Sequence, residues 1–237
     1  MWLRARYGTG VFLKLNKREC NIKIRLTPFD ADFVKVQMKF GDERQDFFLS
    51  NIMGDRFSSF LWAVFCLYEE EDNGHWLCFK HDKETKREFR KDGTYLTTAR
   101  LFWDGEGYGY ATVHLSRIGK GNTPPSPDEK DIITLKIDRW GKTYSYEMDG
   151  RDLCYALAKA YTDAMKKYGF RGYLVSNQWT DPGEQIAFGD TFLFIKAYAL
   201  NALEVRNTRL KWQDPSGCAQ AYASSFEKEM ELLLFDM

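Results

Sequence analysis

Asp104 and Glu106 stand two positions apart in "LFWDGEGYGYATVHL", residues 101 to 115, and His114 follows them on the same segment. Two carboxylates held close together can split their pKa values and serve as acid and base, which is the chemistry of a hydrolase. On that reading Asp104, Glu106 and His114 are the catalytic candidates, and Trp103, Tyr108 and Tyr110 wall the site. The competing reading is conformational. A tight turn favours Asp and Gly for backbone reasons, and both acids in such a turn are solvated. The flanking runs then form a hairpin, which is the reading the segment supports better.

Other chemistries fail on spacing. "GEGYG", from Gly105 to Gly109, echoes a dinucleotide-binding loop, but such a loop feeds phosphate onto the N-terminus of a following helix, and here a strand pattern follows. "GKT" at Gly141 to Thr143 has the end of a phosphate-binding loop without its beginning, since Lys136 stands where the first glycine is needed. In "HWLCFKH", an extended chain separates His75 from His81 by about 20 Å and turns Cys78 to the other face, so no single ion could join all three. A glycine-x-serine-x-glycine elbow is missing as well. No metal and no cofactor is expected.

The elements that must carry these residues are legible in the hydrophobic period. Ile22, Ile24 and Leu26 alternate with Lys23 and Arg25. Val34, Val36, Met38 and Phe40 alternate with Lys35, Gln37 and Lys39, and "RQDFFL" returns after a turn at Gly41 and Asp42. Phe57, Phe60, Leu61, Val64, Phe65 and Tyr68 then recur at helical spacing behind Asp55 as N-cap, and "EEEDNG" ends the helix. Asp92-Gly93 predicts a type I′ hairpin between the "REF" and "TYLTTARLFW" runs. The return strand places Ala111, Val113 and Leu115 on one face and Tyr108, Tyr110, Thr112 and His114 on the other.

Residues 119 to 130 hold three prolines and almost nothing apolar, so they form a long loop or subdivide the chain. A further hairpin turns at "RWGK". After it, Asp149 caps a helix whose stripe runs through Leu153, Leu157, Tyr161 and Ala164 to a stop at Gly169. "DTFLFIKAYALNAL" reads as a buried helix or as a strand leading into one. A closing helix with Ser216 as N-cap would bury Tyr222, Phe226, Met230 and Leu233. Strands first and helices mostly afterwards predict an α+β fold: an antiparallel sheet of hairpins, one helix in the N-terminal half, and two or three helices in the C-terminal third. A length of 237 residues fits one domain.

Lys plus Arg and Asp plus Glu both total 34, so the chain as a whole lacks the cationic surplus that steers proteins to nucleic acid or anionic membranes. Arg4, Arg6 and Lys14 break up the first apolar runs, and no run is long enough to span a bilayer. The five scattered cysteines suit free thiols in a reducing cytoplasm. Aromatics make up 16% of residues, and Trp76, Trp103, Trp140, Trp179 and Trp212 fall at expected turns and strand ends. Trp and Tyr concentrate at the energetic centres of protein interfaces, so Trp103, Tyr108, Tyr110 and Trp140 are the candidate binding residues.

"VKVQMKFGDERQDFFLSNIMGDRFSSFLWAVFCL", followed by a charged break and "LFWDGEGYGYATVHL", resembles a loose group of uncharacterised bacterial proteins that share a hairpin, a Gly-Asp-capped helix and a Trp-Asp-x-Glu-Gly hairpin. The resemblance covers about the first half of the chain. It implies a small cytoplasmic immunity or accessory factor and brings no catalytic residues with it. The expected function is therefore non-enzymatic binding of another protein. A hydrolase built on Asp104, Glu106 and His114 and a ligand-stacking module are the alternatives.

Overall fold

In the computed structural model, the described residues are 19–28, 33–50, 56–68, 83–104, 109–120, 125–126, 129–169, 182–205 and 226–237. They form an α+β fold with two antiparallel sheets and four α-helices. The first sheet is the meander β1 (Ile22–Pro28), β2 (Phe33–Phe40) and β3 (Glu43–Ser50). The second is a five-stranded meander of β4 (Lys83–Phe89), β5 (Thr94–Asp104), β6 (Tyr110–Lys120), β7 (Ile132–Arg139) and β8 (Lys142–Asp149). The proline-bearing segment at 119–130 thus joins neighbouring strands of one sheet, and β6 itself runs on through Gly119 and Lys120.

The two-residue period explains both sheets. Ile22, Ile24, Leu26, Val34, Val36, Met38 and Phe40 all point inward and are buried, as are Ala111, Val113, Leu115, Ile133, Leu135 and Ile137 on the second sheet. Phe47 of β3 and Phe60 of the first helix meet Trp103 edge-on, at 5.0 and 5.5 Å between ring centroids. One continuous hydrophobic cluster extends from Ile22 to Met237. Polar ties reinforce the seam between the sheets: the Tyr146 hydroxyl donates to Glu43 at 2.9 Å, and Arg139 donates to the Asp46 carbonyl at 2.7 Å.

Helix α1 (Arg56–Cys66) packs on β5 and β3. Helix α2 (Gly150–Tyr168) starts at Asp149, whose carboxylate accepts the Arg151 N–H at 2.7 Å, and ends at Gly169 with φ 76°. It lies along β1. Helix α3 (Pro182–Ala199) contacts both α1 and α2. "DTFLFIKAYAL" is therefore a helix, and its apolar residues on all sides follow from having helices on more than one flank.

Three expectations need correction. The Asp92-Gly93 turn is not type I′, because only Gly93 has positive φ. Gly93 N–H donates to the Arg90 carbonyl at 3.2 Å and Arg90 N–H to that of Thr94 at 2.8 Å, which makes a three-residue loop closed by a left-handed glycine. Asp92 instead accepts from the Thr94 N–H and hydroxyl, rewarding a non-left-handed backbone there. In the closing helix α4 (Phe226–Leu234), Phe226 is exposed and Leu232 is the buried residue, so the inner stripe is set by Leu232 rather than Phe226. Thirdly, Trp103 is a core residue, only 1% exposed. Asp55, Ser216, Tyr222, Trp76, Trp179, Trp212 and the segments 69–74 and 75–81 lie outside the described residues.

Candidate binding surface

The β5–β6 and β7–β8 hairpins bring the sequence candidates to one end of the second sheet. Asp104 pairs with Tyr110 across β5 and β6, and Trp103 with Ala111. Even-numbered residues of β5 and β6 face away from the core. Phe102 and Tyr110 therefore stand side by side on the outer face, stacked at 5.8 Å between ring centroids, and Tyr110 is 65% exposed. Trp103, one residue along, points the opposite way and is lost to any surface.

Trp140 occupies the β7–β8 turn. Arg139 pairs with Lys142, and the two residues between them, Trp140 and Gly141, have φ of 51° and 72°. Positive φ at both positions defines the type I′ turn, whose twist matches the strands. Glycine adopts that backbone freely, but tryptophan is strained in it. Burial does not offset the strain, since Trp140 is 71% exposed. Its indole stacks on the Arg139 guanidinium at 3.8 Å, which also lies 4.9 Å over the Phe47 ring. It also covers Gly109, the neighbour of Tyr110, where an added Cβ would come within 3.0 Å of the indole nitrogen. Trp140 and Tyr110 thus adjoin around the end of the sheet.

His114 has its own partner. Its Nε2 faces Asp138 Oδ2 at 3.1 Å, and the Thr143 hydroxyl donates to the other Asp138 oxygen at 2.5 Å. The register sets His114 opposite Arg100, four rungs from the Asp104–Tyr110 pair, which is about 13 Å along the strands. The backbone positions of Asp104 and His114 are thus well separated along the strand pair. Glu106 and Tyr108 lie outside the described residues. "GKT" forms part of the β7–β8 turn with no helix after it, so it offers no helix N-terminus to a phosphate.

The densest polar cluster lies elsewhere and is buried. Arg117 Nε donates to Asp131 at 2.8 Å, and the hydroxyls of Tyr68 and Tyr198 both donate to the other Asp131 oxygen at 2.6 Å. Gly150 N–H bonds the Asp131 carbonyl at 2.8 Å. Burial, with the Asp131 carboxylate beside them, pushes both phenols far above their ordinary pKa. Burial opposes the Arg117 charge too, but Asp131 and the tyrosines outweigh it and raise the guanidinium. Burial likewise drives the Cys154 thiol up, so it is a poor nucleophile. Arg117, Asp131, Tyr68 and Tyr198 are all shut off from solvent. This cluster ties β6, β7, α1, α2 and α3 together rather than performing chemistry.

Sequence reasoning missed this network, although a signal existed. Arg117 continues the inward phase of Ala111, Val113 and Leu115, and a charge at a core-facing position requires a buried partner. Lys196 is the same kind of signal. It is fully buried within α3, and its ammonium donates to Thr162 Oγ1 at 3.3 Å and to the Leu233 and Phe235 carbonyls at 2.9 Å each. Burial, then the charge of Lys166, lowers its pKa to about 8. Its bonds cap the end of α4.

Among the described residues, no three His, Cys, Asp or Glu side chains converge as a metal site would require. No helix among them is long and apolar enough to cross a membrane. Comparisons with protein-family models, curated proteins and solved structures find no match. Fold and surface together define an α+β protein with an aromatic tip at one end of an antiparallel sheet.

Proposed function

We propose that this chain is a non-enzymatic protein-binding factor of the bacterial cytoplasm, an immunity-type or accessory protein that masks a partner through the tip formed by Trp140, Tyr110 and Phe102. The observation that carries the reading is Trp140: a large apolar side chain, exposed, in a backbone conformation that costs free energy to hold. Strain of this kind persists where it serves a site. The flanking Arg139 adds the third residue type enriched at interface hot spots. The free thiol at Cys154 supports a reducing compartment. The separation of Asp104 from His114 weighs against the hydrolase alternative.

The test begins with capture of a partner by the full-length chain and measurement of its affinity. Tyr110→Ala should weaken binding by about tenfold or more, the range of a hot-spot residue. His114→Ala and Asp104→Asn should leave it within about twofold, as rim or remote positions do. Loss of a measurable turnover in folded Asp104→Asn and Glu106→Gln variants would favour the hydrolase instead.

A further inference from the structure

A groove of about 850 Å³ runs between β1 and α2, on surfaces that the aromatic tip does not use. Its lining is sorted by face. Ile22, Ile24 and Leu26 of β1 and the helical row Ala156, Ala160 and Ala164 of α2 form an apolar floor. Among the described residues, the rim holds Lys23, Arg25, Lys39, Arg44, Lys159 and Lys167 against one acidic side chain, Asp163. Arg44 is taken by Asp46 and Lys159 by Asp163, which leaves Lys23, Arg25, Lys39 and Lys167 without a carboxylate among the described residues. Lys23 and Lys39 sit directly opposite each other in the β1–β2 register, where like charges repel. A chain of zero net charge has therefore gathered uncompensated cations around one groove, from β1, β2 and α2.

β1 is an outer strand of its sheet and pairs among the described strands only with β2. An edge of this kind presents unpaired N–H and C=O groups to an extended segment. We propose that the groove receives an extended segment of a partner protein, with alternating apolar and acidic residues, as an added strand beside β1. The alternation follows from the pleat. A strand next to β1 must turn every second side chain toward the alanine row and the others toward Lys23 and Arg25. The first set must be small and apolar, the second acidic. The chain's own residues 1 to 18 are a poor match, because they carry Arg4, Arg6, Lys14, Lys17 and Arg18 and no acid.

The test uses the full-length chain and a fluorescein-labelled peptide of about twelve residues alternating Val and Glu, long enough to span one strand. Anisotropy titrations compare it with a peptide of the same composition whose glutamates are grouped in one block, with a Val/Lys alternating peptide, and with single-stranded oligo-dT. The alternating acidic peptide should bind about tenfold or more tightly than the block peptide, since only alternation matches the pleat. Lys23→Glu/Arg25→Glu, checked for fold by circular dichroism, should reverse the preference toward the Val/Lys peptide. No saturable binding up to about millimolar peptide, where even weak strand addition registers, would overturn the proposal. So would equal binding of the block peptide, or tighter binding of oligo-dT, because a diffuse polyanion site needs no strand geometry.

Discussion

The Arg117–Asp131 pair shows why a buried ionic group is better read as architecture than as machinery. Asp131 accepts from Arg117, Tyr68 and Tyr198 at 2.6 to 2.8 Å. Asp131→Ala would leave the guanidinium and two phenols enclosed without their acceptor. It should cost about 3–5 kcal/mol, as removal of one partner of a buried pair does, read as a lower urea midpoint. Gly150 belongs to the same arrangement. A Cβ there would lie 2.2 Å from both Asp131 Oδ2 and the Tyr68 hydroxyl, so Gly150→Ala should destabilise by roughly 1–3 kcal/mol through overpacking. At this scale the sequence is least legible. Arg117 and Asp131 are separated by a proline-rich stretch of sequence, and their phenolic partners come from the turn after α1 and from α3, so no local pattern joins them. Trp140 was visible as a turn residue, but its left-handed backbone was not, because tryptophan is not a residue that a type I′ turn selects.

Among the elements, α4 and the chain after it are held by α2 and α3 through lysines. Lys196 donates to the Leu233 and Phe235 carbonyls, Lys159 to the Met237 carbonyl at 2.8 Å, and Lys166 pairs with Asp236 at 2.7 Å. The Lys196 pKa is about 8 when folded, below its ordinary 10.5. The unfolded chain therefore binds more protons between those values, and this group makes stability rise as pH passes 8. Cys154, Tyr68 and Tyr198 act in the opposite sense. Their pKa values are raised on folding, so they add stability that is complete below their unfolded values and lost above about pH 9 to 10. Urea midpoints should rise above pH 8, level off near pH 9 where Cys154 offsets Lys196, and fall above about pH 10 as both tyrosines join. Lys196→Met should abolish the rising arm and keep the falling one. The strands were legible because one buried face imposes a strict two-residue period. In α4 the period held but its phase did not, since a short helix ending the chain is oriented by the Lys196 bonds and Leu232 rather than by its most apolar residue, Phe226.

Among the described residues, the hydrophobic cluster runs through both sheets and includes residues of α1, α2 and α3. α1 bridges β3 and β5, and α2 contacts both β1 and β8. Far-ultraviolet and near-ultraviolet circular dichroism should therefore report one coincident unfolding transition. Two separated transitions would mean that the sheets fold as independent units. The α+β class follows directly from strand periods preceding helical ones. What composition hid was the arrangement of charge: 34 cations balance 34 anions overall, yet among the described residues the β1–α2 groove keeps six cations beside one acidic side chain.

Trp140→Asn gives the most direct test of the binding surface, because asparagine followed by Gly141 is a favoured type I′ pair and leaves the fold intact. Isothermal titration of the captured partner into wild type and variant, with urea unfolding of both run in parallel, separates function from stability. Binding should weaken by about tenfold or more, while stability stays level or rises by up to about 1 kcal/mol as the left-handed strain is relieved. Unchanged affinity for the partner, or a variant that loses stability along with binding, would show that Trp140 serves the fold and that the tip is not the interface.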